Sequence, residues 1–105
     1  MHNYKKLIVW QRAVDLAVEA YQKTKLFPEE EKFGVTIQAR KSACSIVYNV
    51  AEGSRKSSQN DVNRFLEISD GSSAELNNQL IISQRAGYIP LEELESFEIK
   101  IDEIQ

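Results

Sequence analysis

The chain has 105 residues, one cysteine, one histidine and a formal net charge of −3, with 42% hydrophobic and 28% charged residues. That length holds a single core, the hydrophobic share excludes wholesale disorder, and no apolar run approaches the roughly 20 residues needed to span a bilayer. The acidity is local: residues 91–105 carry six carboxylates against Lys100, a balance of −5, so the rest carries +2 and bulk charge does not point to nucleic acid.

The first six residues show no apolar core and no small-residue cleavage site, so no secretory leader is expected. Cys44 cannot form an internal disulfide, and the cytoplasm is the expected compartment. Leu7, Trp10, Val14, Ala17 and Tyr21 recur at helical spacing and predict a first helix over 7–26 with that line turned inward, while Arg12, Asp15, Glu19 and Lys23 fall off it. Phe27-Pro28 ends it, because the residue before proline is pushed out of helical geometry. Pro28-Glu29-Glu30-Glu31 has the makings of a helical first turn. Gly34 follows closely, however, so a separate short turn is expected before the main helix begins near Val35.

The stretch 34–53, GVTIQARKSACSIVYNVAEG, separates on a helical wheel into two stripes. Gln38, Ser42, Ser45, Asn49 and Glu52 form a narrow polar one. Ile37, Ala39, Ala43, Cys44, Ile46, Val47, Tyr48, Val50 and Ala51 cover an arc too wide for a helix with one side in water, so this second helix, predicted over 35–53, has to be enclosed. Cys44 then reads as a buried structural thiol. Gly53 is expected to stop the helix as a positive-φ residue. The polar stripe has three readings: a solvated face, a subunit interface, or a ligand site. In the interface reading, Arg40 or Arg55 of one chain pairs with Glu52 or Glu75 of another, since a carboxylate leaving water needs a partner and arginine supplies two hydrogen bonds at once.

Ser58-Gln59-Asn60-Asp61 has the spacing of a capping box and opens a long third helix over 58–86, roughly 40 Å at 1.5 Å per residue. Its inner line is Val62, Phe65, Leu66, Ser69, Ser73, Leu76, Leu80 and Ser83. The waist Ser69-Asp70-Gly71-Ser72-Ser73-Ala74 puts small residues where leucine would be expected, which marks a helix crossing or a subunit contact. Gly87 ends this helix, and Pro90 opens a fourth over 90–105 with a heptad seam of Leu94, Phe97, Ile101 and Ile104. Short loops between successive helices predict an all-α, up-down-up-down four-helix bundle.

Several pieces together resemble the bacterial four-helix-bundle proteins encoded in intervening sequences of 23S rRNA genes. They are Leu7-x-Val9-Trp10-Gln11-x-Ala13, Phe27-Pro28-x-x-Glu31-x-Phe33-Gly34, Gln38-x-Arg40, Ser45-Ile46-x-x-Asn49-x-Ala51-Glu52-Gly53 with Arg55, then Phe65-Leu66, Ser72 and Glu75-Leu76. The chain departs from that family's pattern at Val47, where proline is usual. The resemblance implies a left-handed bundle assembled as a homopentamer around a channel, without established enzymatic activity. A related branch, the accessory proteins of diversity-generating retroelements, implies a reverse-transcriptase-like protein or RNA as partner.

No residue set demands a cofactor. His2 is the sole histidine and lies in a terminus expected to fray, so a His/Cys metal site is not expected, and no nucleophile stands beside a base. Trp10, Tyr21 and Tyr48 fit packing, with base stacking as the other use. Arg55 and Lys56 in the loop, with Arg64 two turns into the third helix, are the candidate phosphate-binding group, aided by Ser57 and Ser58 at a helix N-terminus.

Overall fold

Four α-helices and two 3-10 turns make up the described residues. The computed structural model describes residues 3–104, so His2 and the last predicted position of the fourth helix, Gln105, lie outside it. A 3-10 turn at Tyr4–Lys6 leads into α1 (Ile8–Thr24), and a second at Glu29–Glu31 precedes α2 (Val35–Ser54). Then come α3 (Gln59–Arg85) and α4 (Leu91–Ile104), with no strand among the described residues. Each helix packs on its sequence neighbours and α1 also packs on α4, closing a four-membered ring. Along α1 and α4 the ion pairs Lys23–Glu93 and Arg12–Glu103 run in opposite senses, so these two helices are antiparallel. The protein is an all-α bundle.

Local chemistry explains most helix ends. The Ser58 hydroxyl accepts a hydrogen bond from the Asp61 N–H at 3.4 Å and caps α3. At its other end Gly87 takes φ +87°, its N–H reaching the Gln84 carbonyl while the Tyr88 N–H reaches Ser83 at 2.8 Å. This pair of bonds satisfies orphan carbonyls, and a left-handed residue is needed to make it. The separate turn expected before α2 is the one at Glu29–Glu31. Glu31 then accepts from the Val35 N–H at 3.5 Å and from the Tyr88 hydroxyl at 2.9 Å, tying the start of α2 to the loop before α4.

Gly53 corrects the sequence reading. It is helical and buried rather than a positive-φ stop, because a Cβ there would lie 3.2 Å from the Cβ of Phe65. Its missing side chain serves the approach of α3, not the end of α2.

The core is built from Leu16, Ile46, Leu76, Leu80 and Phe97, with Ala13, Ala20, Ala39 and Ala43 letting helices close in. Leu94, Phe97 and Ile101 of the predicted α4 seam are buried. The inward line of α1 is shifted from the predicted one: Ala13, Leu16, Ala20 and Thr24 point in beside Ala17, which was on the predicted line, while Trp10 and Val14 are half-buried and Tyr21 is exposed. A wheel weighs large apolar side chains heavily, whereas close packing against two neighbouring helices selects small ones. In the α3 waist Ser69, Ser72 and Ser73 are buried against α2, so this is a helix crossing within the chain. Ser73 and Ser83 stay satisfied by donating to the carbonyls of Ser69 and Gln79, one turn back.

Candidate functional site

The polar stripe of α2 is divided between the chain's own interior and solvent. Ser45 and Ser72 share a hydrogen bond of 2.7 Å across the α2–α3 seam, and the Asn49 amide donates to the Ser45 carbonyl and hydroxyl at 2.8 and 3.1 Å. Ser42 is buried beside them. Gln38 and Glu75 are exposed, and Glu52 is exposed too, with Lys56 3.8 Å away on the next turn.

Within its own chain Arg40 reaches the end of α1. Its Nε donates to the Thr24 hydroxyl at 2.9 Å and its Nη2 to the Tyr21 carbonyl at 3.4 Å, with the guanidinium 4.7 Å from the Tyr21 ring centre. A cation held at the C-terminal end of α1 meets the negative end of that helix's dipole. Arg40 is thus a strut between α1 and α2.

The exposed part of the apolar arc faces the outer groove between α1 and α2. Val14, Ala17, Val18, Tyr21, Cys44, Val47 and Tyr48 line a cavity of about 480 Å³, with Gln22 and Lys25 at its margin. A second hollow of about 240 Å³ shares Tyr21, Cys44 and Tyr48 and adds Ile37, Arg40, Lys41 and Ser45. Tyr48 is 64% exposed and Tyr21 42%, which is unusual for aromatics flanking a bundle core. Lys25, Arg40 and Lys41 are the only charged residues lining the two hollows.

Cys44 is half-exposed at the groove floor, not buried as its neighbours suggested. Its Sγ lies 3.7 Å from the Tyr21 hydroxyl. That hydrogen bond, and then the charge of an ionised thiol, raise the Tyr21 phenol above its ordinary 10.0. The Cys44 charge raises Tyr48 in the same direction.

The basic candidates gather at the other end of the hairpin. The Lys56 ammonium stands 5.3 Å and the Arg64 guanidinium 6.0 Å from the ring centre of Phe65, with exposed Arg55 in the loop beside them. Sequence spacing had grouped these three but had not supplied the aromatic on which two of them rest. It also missed the α1 half of the groove, although Val14 and Tyr21 gave a signal as large apolar residues one face wide. Among the described residues no group of three His, Cys, Asp or Glu side chains could hold a metal ion.

Helix order, ring closure and the two surfaces together define an all-α four-helix-bundle protein. The model of the 23S rRNA-intervening sequence protein family matches residues 5–105, and the chain belongs to that family. A crystal structure of a protein of unknown function from the S23 ribosomal protein family of Bacteroides thetaiotaomicron is similar at a TM-score of 0.84 and 28% identity, covering 92% of this chain and 91% of that one. No curated protein matches.

Proposed function

We propose that this protein is a non-enzymatic scaffold or adaptor that works as a homo-oligomer, a homopentamer in the reading its family resemblance supports. One observation carries the proposal: an apolar groove holding two exposed tyrosines runs along a bundle whose core is otherwise closed. Exposed apolar surface of that kind, rimmed by polar residues, marks a protein contact. Light scattering on the purified chain is the test. A mass several times 12.0 kDa is expected at micromolar concentration, and a clean single-chain mass overturns the reading.

A second reading has its own support in the cluster of Lys56 and Arg64 around the Phe65 ring, with exposed Arg55 in the adjoining loop, a joining of cations and an aromatic of the kind that binds nucleic-acid strands. Here the oligomer binds RNA through a ring of such clusters. Retention on an RNA or heparin column that falls steeply with salt supports it, and flat, absent retention sinks it. A cytoplasmic location and a reverse-transcriptase-like partner belong to the same proposal. No helix is long and apolar enough to cross a membrane among the described residues.

A further inference from the structure

The charges of two separate surfaces bear on what fills the groove. On α1, Val14, Ala17, Val18, Tyr21, Gln22 and Lys25 face the groove, whereas Arg12, Asp15, Leu16 and Glu19 face α4. The groove and the outer side of α4 are therefore different faces of the molecule, and a chain cannot fill its own groove with its own α4. The groove is apolar with a basic rim. The outer side of α4 reverses that pattern: Glu92, Glu95 and Glu103 surround Ile99, which is 61% exposed, and Leu91 is exposed about two turns away. The one cation there, Lys100, is already paired with Glu19 of α1.

We propose that the groove of one copy receives the outer face of α4 from the next copy, head to tail. This inference rests on the self-assembly reading and specifies its interface. Ile99 enters between Tyr21 and Tyr48, while Glu92 and Glu95 lie toward Lys25 and Lys41, Glu103 being held by Arg12 of its own chain. An amphipathic helix laid in an apolar groove is a common mode of recognition, and unlike charges at the rim set its register. The dimensions agree: from Val14 to Lys25 the groove wall runs about 16 Å, and the 14 residues of α4 run about 21 Å. Because the two surfaces differ, each copy offers one donor and one acceptor, and such a contact propagates until the rotation per step closes a ring. The polar stripe read from the sequence as the interface is displaced by one helical position around α2, from Ser45 and Asn49, which face α3, to Cys44 and Tyr48.

The experiment uses the full chain with Tyr48→Asp in the groove and Ile99→Lys on α4, each checked for unchanged helix content by circular dichroism. Both side chains are mostly solvent-exposed in the single chain, and Tyr48→Ser and Ile99→Ser carry the same test should a charged variant lose helix content. Each variant alone is expected to fall from the wild-type mass to 12.0 kDa, and an equimolar mixture is expected to reach twice that, since it contains one sound groove and one sound α4 face. A wild-type oligomer whose mass survives Ile99→Lys overturns the inference and leaves self-assembly standing. A mixture that stays at the single-chain mass overturns it as well. A wild type that is itself a single chain overturns both.

Discussion

The two flanks of α2 are built on opposite rules. Toward α3 the residues are small: Ser42, Ser45, Gly53, Ser69, Ser72 and Ser73 let the backbones come close, and their hydroxyls are mostly bonded within the seam. Outside the core contact with α1 the residues are large, and Tyr48, Tyr21 and Val18 remain in solvent. Hydroxyl groups are inside and aromatic rings outside because burial follows how near two helices can approach. Polarity is the weaker guide when a serine hydroxyl finds a partner in the seam, as Ser45 and Ser72 do in each other, or a carbonyl one turn back, as Ser73 does.

The sharpest test of this division compares two residues on one helix. Ile46→Ala, at a fully buried position, is expected to lower stability by about 2–5 kcal/mol in urea unfolding, while Tyr48→Ala, two residues on, stays within about 0.5 kcal/mol for the single chain. Equal costs would erase the distinction. Next in size is Ser72→Ala, which removes the partner of Ser45 from the seam and is expected to cost about 1 kcal/mol.

Glycine gives a contrast of sign. Gly71 is helical with open space where its Cβ would lie, so Gly71→Ala is expected to stabilise the chain by about 1 kcal/mol. Gly53→Ala should bring no such gain, since its methyl group meets Phe65. Thermal unfolding of the pair decides it. If Gly53→Ala stabilises as much as Gly71→Ala, the seam is looser than its distances.

The smallest effect concerns the groove. Tyr21 and Tyr48 are raised above 10.0 by Cys44, so Cys44→Ala is expected to shift the alkaline titration of tyrosine absorbance downward. The sign for folding follows: a phenol raised in the folded state adds stability below pH about 10 and loses it as pH climbs through the folded value. An unchanged titration would separate the thiol from both rings.

Much of this plan was legible in the residues. Ser58, Gly87 and the Pro28 turn announced helix ends through capping chemistry that acts over a few positions, and the serine waist announced a crossing. What escaped depended on partners distant in sequence. Gly53 looked like a stop because a glycine after a helix usually is one, and only the position of Phe65 reveals its other use. Arg40 looked available for a neighbour, yet the end of α1 lies within its reach. The apolar line Val14, Ala17, Tyr21 was visible, but a wheel cannot tell that Ala17 meets the core while Val14 and Tyr21 lie beside it. The basic trio was found by spacing, and its ring was not.

α3 has 27 residues and α4 has 14, so the bundle tapers. From Ser58 to Ile68 every residue except Val62 and Phe65 is exposed. Amide protons there should exchange with solvent through openings far cheaper than those that free the α3 waist, because fraying one end of a helix leaves the buried crossing intact. In the RNA-binding reading proposed above, the tip carrying Arg64 would order itself around an anionic chain at the entropic cost of that segment alone, while the rest of the molecule keeps its shape.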